Sequence, residues 1–253
     1  MNRIIISKNK LENYKDEFIS IQNHIITFQK NGDYTLEYLD SDDIKLDIII
    51  PDQVCVKLFI WSIDQRLRIK THYKLGSFSN LMLFQFYCNK SVAEDVIMDL
   101  DGEYSKISSS FSSISMGCDE YHIVVNHHNH HVTSSISNKC IGLDKSKIHF
   151  QIDSVLDKGN VGCVMDQNTR ILTLGDVDAK VVPNMFISED SVEARHGAVI
   201  GSFREEDIFY LMSRGISREE AVMLLIKGFL FSNFVVDMDK RGRILECIRK
   251  IWG

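Results

Sequence analysis

From about His24 to about Gly201 the chain is a succession of short runs dense in apolar residues, each closed by polar residues within a few steps. They read HIITF (24–28), YTLEYL (34–39), KLDIII (45–50), VCVKLFIW (54–61) and LMLFQFY (81–87). They continue as HIVV (122–125), HVTSSI (131–136), KIHFQI (147–152), VGCVM (161–165), RILTL (170–174) and MFIS (185–188). Val, Ile, Phe and Tyr fill the runs and Asn, Asp, Gly or Ser end them, so the pattern predicts many short strands. Ahead of them LENYKDEFISIQ (11–22) is helix-like, which sets residues 1–22 apart as a short N-terminal segment and 23–201 as a β body.

A sandwich, a barrel and a β-solenoid all fit a run of strands. Two details favour the solenoid. The later runs carry small polar residues (Ser108 to Ser115, Thr133 to Ser137) and lack the Asn-Gly or Asp-Gly signals of antiparallel hairpins. Cys118, Cys140 and Cys163 are spaced 22 and 23 apart, as stacked coils of roughly 22 residues would place equivalent inward positions. Buried cysteines of a sandwich that share this spacing by accident remain the alternative.

The period changes after Gly201. Ser202-Phe-Arg-Glu205 reads as a capping box opening a helix with Ile208, Leu211 and Met212 on one face, and Gly215 can end it in a left-handed conformation. Ser217-Arg-Glu-Glu220 is a second capping box, followed by Ala221, Val222, Leu225, Ile226 and Phe229 at helical spacing. Ile244, Leu245, Ile248, Ile251 and Trp252 mark a terminal amphipathic helix whose Lys240, Arg241 and Arg243 are expected to face solvent. Residues 202–253 thus form a C-terminal helical domain.

Composition narrows the function classes. Among 253 residues, 29 Lys plus Arg stand against 35 Asp plus Glu, a net charge of −6 that favours neither nucleic acid nor an anionic membrane surface. Apolar residues at 44% support a solid core. The apolar run near the N-terminus is three isoleucines long, short of the roughly 7 to 15 of a secretory segment, and none approaches the ~18 of a membrane span. A cytoplasmic location is therefore expected. Pro51 and Pro183 are the only prolines, which excludes a Pro-rich linker. Cys55, Cys88, Cys118, Cys140, Cys163 and Cys247 form no CxxC, so reduced, mostly buried thiols are expected rather than a metal cage.

The segment PNMFISEDSVEARHGAVIG (183–201), running into IFYLMSRGISREEAVMLLIKGF (208–229), resembles the C-terminal signature of the SufB/SufD family, core subunits of the SUF iron–sulfur cluster assembly machine. Fainter likeness reaches back to GEYSKISSSFSSIS, VNHHNHHVTSS and KSKIHFQ, from about residue 102. The resemblance implies a right-handed parallel β-helix followed by helices, and a protein that pairs with a SufB-like subunit or an identical copy and docks a SufC-type ATPase through its C-terminal helices. His196-Gly197-Ala198-Val199 is the SufD-like form, where the SufB type has His-Glu-Ala-Thr. The SufB type also has a cysteine in the strand before the Gly-Asp corner; Thr169 holds that place here, six residues after Cys163. The implied pairing surface is the last coil, with Lys180, Pro183, His196 and Gly197; the implied docking residues are Phe209, Tyr210, Arg214, Gly215, Ile216 and Glu220. No cofactor held tightly by the isolated chain is expected, a transient cluster forming instead at the subunit interface. From its 253 residues the chain is expected to be a short form without the N-terminal helical domain that members commonly carry.

His196 is the residue singled out for chemistry, because imidazole ligates iron and moves protons near neutral pH. A packing histidine is the plainer reading. Asn126-His-His-Asn-His-His131 offers four imidazoles in five positions; on a strand only alternate residues such as His128 and His130 would share a face for a metal, and a solvated polar corner is the plainer reading. Phe209 and Tyr210 could equally pack a helix on the solenoid end. Asp176, Asp178, Glu189, Asp190 and Glu193 would serve a solenoid enzyme acting on polysaccharide, and hexapeptide repeats an acyl transferase, but no spacing singles out an acid and a base and no such repeats occur. No GxxxxGK[ST] loop is present, so ATP hydrolysis is expected in a partner and the chain itself is expected to be non-enzymatic.

Overall fold

A computed structural model describes residues 2–8, 10–11, 19–22, 24–232 and 238–252. Its strands are β1 (Asn2–Ser7), β2 (Lys10–Leu11), β3 (Ile19–Gln22), β4 (Ile25–Phe28), β5 (Gly32–Leu39), β6 (Ile44–Ile50), β7 (Cys55–Ile63), β8 (Arg66–Leu75) and β9 (Asn80–Cys88). They continue as β10 (Ser91–Leu100), β11 (Lys106–Ser115), β12 (Cys118–His127), β13 (Thr133–Leu143), β14 (Lys147–Leu156), β15 (Val164–Leu174), β16 (Asp178–Ile187) and β17 (Glu193–Gly201). Three helices follow, α1 (Glu205–Met212), α2 (Arg218–Phe231) and α3 (Met238–Trp252).

From β4 onward successive strands alternate between two sheets. One sheet runs β17-β15-β13-β11-β9-β7-β5-β1-β2 and the other β16-β14-β12-β10-β8-β6-β4-β3. All pairings are parallel except β1 with β2 and β3 with β4. This is the expected parallel β-solenoid, its lumen between the two sheets. The offset is 22 between β4 and β6, as in Ile25↔Asp47, but the other coils are longer: Cys55 pairs with Asn80 and Cys140 with Ile171, offsets of 25 and 31. Cys118 lies in the even sheet, Cys140 in the odd sheet and Cys163 ahead of β15, so their even spacing reflects no shared position. The N-terminal segment also differs from its helix-like reading: β1 is a strand of the odd sheet, residues 10–11 and 19–22 are strands, and 12–18 lie outside the described residues.

Parallel coils stack like on like. At one corner Gln53, Phe78, Tyr104, His131 and Gly162 all adopt positive φ, between 56° and 70°. Each donates its N–H to the next coil, as Phe78 does to the Glu103 carbonyl at 2.8 Å and His131 to the Val161 carbonyl at 2.9 Å. These bonds and the stacked rings, Phe78 on Tyr104 at 5.2 Å and Tyr104 on His131 at 4.8 Å, offset a left-handed cost of about 1–2 kcal/mol per residue. Gly162 ends the stack because a Cβ there would meet His131 Nδ1 at 2.3 Å.

The lumen is filled mainly by aliphatic and aromatic side chains, with Tyr121 stacked on Phe150 at 4.4 Å and edge-on to Phe111 at 4.9 Å. Among the described residues, two carboxyls and an imidazole share it. Burial pushes the Glu94 carboxyl up to about 7, although Tyr87 and Gln85 donate to it at 3.0 and 3.1 Å. Burial likewise raises Asp119 to about 6, against the N–H of Val92 at 2.9 Å. It lowers His127 to about 4, its ring held between the Val155 carbonyl and Ser134 Oγ.

α2 and α3 cover the outer face of the odd sheet. Ile226, Leu230, Ile244, Cys247 and Ile248 pack on Phe59, Trp61, Phe86, Ile114, Ile141 and Leu172. The flank of the solenoid is therefore covered. Lys240 and Arg243 also depart from their solvent-facing reading. Lys240 is buried over the Phe59 ring, and Arg243 sits over Trp61 and donates to the buried Glu37 at 2.7 Å, which Arg3 reaches from the other side. Burial alone would raise Glu37; the two guanidinium groups outweigh it and hold the carboxyl below its ordinary value. A further difference is that Cys88 of β9 and Cys247 of α3 form a disulfide, so two of the six cysteines are not free thiols.

Two outcomes follow. Between pH 4.5 and about 7 the folded chain retains the Glu94 proton that the unfolded chain releases, so this group costs stability as pH rises, by up to roughly 1.4 kcal/mol per pH unit, and levels off above 7. Glu94→Gln should therefore gain in melting temperature over wild type across that window, with the gain vanishing near pH 4. His127 has the opposite sign, costing stability as pH falls from 6.5 to about 4. For the disulfide, which closes a loop of 159 residues, reduction or Cys247→Ala should cost about 2–4 kcal/mol and speed hydrogen exchange in residues 238–252 before the strands.

Candidate functional site

The last coil is the place where the stacking stops. β17 pairs only with β15, and β16 pairs through backbone only with β14, leaving both outer edges open. Along β15 the lumen-facing residues are Met165, Gln167, Thr169 and Ile171, and the register sets Ala194, His196, Ala198 and Ile200 of β17 directly above them. His196 thus belongs to the column that is buried in every coil below, and it is exposed because no coil covers it.

Gln167, its register partner, is buried; its Nε2 donates to Ser154 Oγ at 2.6 Å and to the Asn184 carbonyl at 3.2 Å, while Oε1 has no hydrogen-bond partner among the described residues. On β16 the lumen side carries Ala179, Val181, Pro183, Met185 and Ile187, all half-buried for the same reason. Pro183 sits above Ile152 on a terminal strand, where a missing N–H costs least. Lys180 and Gly197 are on the outward faces of β16 and β17, and a Cβ on Gly197 would meet Asn168 Oδ1 only at 4.0 Å. The four residues expected on the pairing surface therefore share the last coil, two toward the lumen and two away from it.

Thr169 is buried and accepts from Asn138 Nδ2 at 3.0 Å, two register steps from His196 on the neighbouring strand. Cys163 is buried at the corner before β15 with its Sγ 3.2 Å from the Asn160 carbonyl, and burial raises its pKa; burial raises that of Cys140 in the lumen more strongly. Neither thiol reaches His196 as a ready thiolate.

α1 and α2 present a second surface. α1 starts at Glu205 with Arg204 at the cap position and no side-chain cap bond, so the expected Ser202 capping box does not form. The Ser217 box does: Glu220 N–H donates to Ser217 Oγ at 3.2 Å and Ser217 N–H to Glu220 Oε2 at 3.1 Å. Gly215 turns the chain between them with φ of 86°. Arg218 clamps Glu205 with two bonds of 2.9 and 2.8 Å, fixing α2 to α1. Phe209 and Tyr210 are 72% and 59% exposed, so neither packs against the solenoid. Arg214 lies 5.3 Å from the Tyr210 ring, and Ile216 is half-buried.

The histidine run does not behave as a strand. β12 ends at His127, which points into the lumen, while His128 and His130 lie in the turn and His131 joins the ring stack. His130 is exposed with its carbonyl accepting from Tyr104, so His128 and His130 sit in a polar corner, the plainer reading, and do not share a strand face. The sequence does not single out Gln167 or the apolar residues Phe186, Val199 and Ile200 of the open end, since finding them requires the offsets of 29 residues between β15 and β17 and 31 between β14 and β16.

Together these features define a β-solenoid with one uncovered, histidine-bearing end and helices laid along one flank, an architecture suited to presenting surfaces rather than enclosing a substrate. Comparison with known proteins gives the family. Residues 58–229 match the SUF system FeS cluster assembly family, SufBD core domain, and the chain belongs to it. It is 42% identical over 66 residues to the iron–sulfur cluster assembly protein SufD of Bacillus subtilis, covering 26% of this chain and 15% of that protein. It is 38% identical over 82 residues to a SufBD family protein of Archaeoglobus fulgidus (32% and 21%) and 37% over 73 residues to one of Pyrococcus horikoshii (29% and 15%). The chain thus matches about a fifth or less of the length of these relatives. No helix among the described residues is long and apolar enough to cross a membrane.

His196→Ala should leave the unfolding free energy within about 0.5 kcal/mol of wild type, as expected for an exposed side chain, whereas Thr169→Val should lose about 1 kcal/mol with the Asn138 bond. Thermal unfolding of the two variants checks both.

Proposed function

We propose that this chain is a SufD-like, non-enzymatic subunit of a cytoplasmic iron–sulfur cluster assembly complex. Its last coil pairs with a SufB-like subunit or with a second copy of itself, and the turn between α1 and α2 receives a SufC-type ATPase. The observation that carries the reading is His196 in a lumen column that ends uncovered, beside half-buried apolar residues of β16. An exposed apolar end of this kind is stabilised by a partner, and the histidine then lies at the join.

The cluster is cargo in this reading. Imidazole is a borderline ligand suited to iron, and Thr169 stands where a thiolate would be needed, so the partner supplies sulfur ligands and His196 supplies nitrogen or a proton. The exposed Phe209, Tyr210 and Arg214 give the ATPase an aromatic and cationic contact of the kind enriched in binding hot spots. Motion of that ATPase would pass through the Arg218–Glu205 clamp to α2 and on to the odd sheet.

Sedimentation with a SufC-type ATPase, with and without ATP, should show a complex that Tyr210→Ala weakens; a folded chain that binds none overturns the docking. Anaerobic reconstitution with iron and sulfide should give no stable cluster on the isolated chain. A stable cluster lost in His196→Ala would instead assign self-sufficient scaffolding.

A further inference from the structure

The outer face of the even sheet is bare of helices and carries histidines and aspartates that interlock between coils. Asp47 accepts from His24 at 2.9 Å and lies 3.5 Å from His72 Nδ1; His72 Nε2 donates to Asp99 Oδ2 at 2.6 Å. Asn126, directly opposite Asp99 on the next strand, donates to Asp99 Oδ1 at 2.8 Å. The Asp99 carboxylate is thus oriented by two donors from two different coils.

Where β10 and β12 end, Asp101 and His128 come to the same place. One carboxylate oxygen of Asp99, one of Asp101 and a ring nitrogen of His128 lie within 4.8 Å of one another. The corner backbone holds them there: Asp101 N–H donates to the Leu75 carbonyl at 3.1 Å, His128 N–H to the Leu100 carbonyl at 3.2 Å, and Asn129 Nδ2 to the Asp101 carbonyl at 3.2 Å. His128 Nε2 stands 3.5 Å from Asp99 Oδ1. That is long for a hydrogen bond, yet it is near the ~3.0–3.4 Å that separates two ligands of one ion bound at about 2.0–2.1 Å.

We propose that Asp99, Asp101 and His128 form a site for one divalent first-row transition-metal ion on the flank of the solenoid, remote in sequence from His196. Two carboxylates match the charge of the ion. An imidazole among the donors selects zinc- or ferrous-class ions over magnesium and calcium, which favour all-oxygen shells. Water fills the remaining positions. His72 and Asn126 are positioning residues, since outer partners that orient a ligating carboxylate commonly change metal affinity by about 10–100-fold. The ion would tie the coil ending at Asp101 to the one ending at His127.

Titration of the untagged full chain with Co2+ alone under argon, followed by ligand-field absorption and calorimetry, tests this. One Co2+ per chain is expected, without the near-ultraviolet thiolate band, and with a rise in melting temperature. Asp101→Asn and His128→Asn, both at exposed positions, should each weaken binding at least about tenfold with unchanged melting temperature of the metal-free protein. His72→Phe should weaken it as well, and His130→Asn should leave it unchanged. Absence of saturable binding, binding that survives the Asp101→Asn/His128→Asn double substitution, or binding lost in His130→Asn would each overturn the assignment.

Discussion

In-register stacking of parallel coils governs this protein. Each backbone N–H of a strand is satisfied by the coil beside it, so a residue's environment is set by what lies one coil above and one below. The corner column from Gln53 to Gly162 persists because five successive coils accept the same left-handed bend and pass on the same hydrogen bond. The same rule keeps proline out of the interior ladder: Pro51 follows the end of β6, and Pro183 is in a terminal strand. Polar residues that enter the lumen include mutually satisfied sets, such as Glu94 with Gln85 and Tyr87.

The two faces outside the lumen have divided the work. The odd sheet carries Phe59, Trp61, Phe86 and Ile141 outward and needs α2 and α3 to keep them dry. The even sheet carries Lys70, His72, Asp95, Asp99 and His122 outward and remains wet, held by cross-coil ion pairs such as Lys70 to Asp95 at 2.8 Å. Because the helices lie along a sheet and not across the end, the terminal coil stays open while the core stays covered.

Much of this was legible in the chain itself. Runs such as KIHFQI and RILTL alternate strongly enough to announce strands, and the Ser217 box announces α2. β8 and β10 were harder, since RLRIKTHYKL and SVAEDVIMDL bury one side only and their outward residues are charged. β17, EARHGAVIG, is exposed at every position but Gly201 because its lumen column is uncovered, so no alternation of burial marks it. Lys240 and Arg243 read as solvent-facing because nothing local reveals Glu37 and Trp61, some two hundred positions earlier. The Cys88–Cys247 bond is hidden for the same reason, and coil length, which varies from 22 to 32 residues between Ile25↔Asp47 and Asn2↔Tyr34, cannot be counted from cysteines.

The two ends of the solenoid are unlike. At the far end β2 and β3 run antiparallel to their neighbours, and a strand of reversed direction offers no matching template for another parallel coil. Only the β16–β17 end presents the parallel face. Were two such molecules to meet face to face at the open end, the antiparallel strands would lie outermost on both sides, and growth would finish at two bodies instead of running on into a fibre.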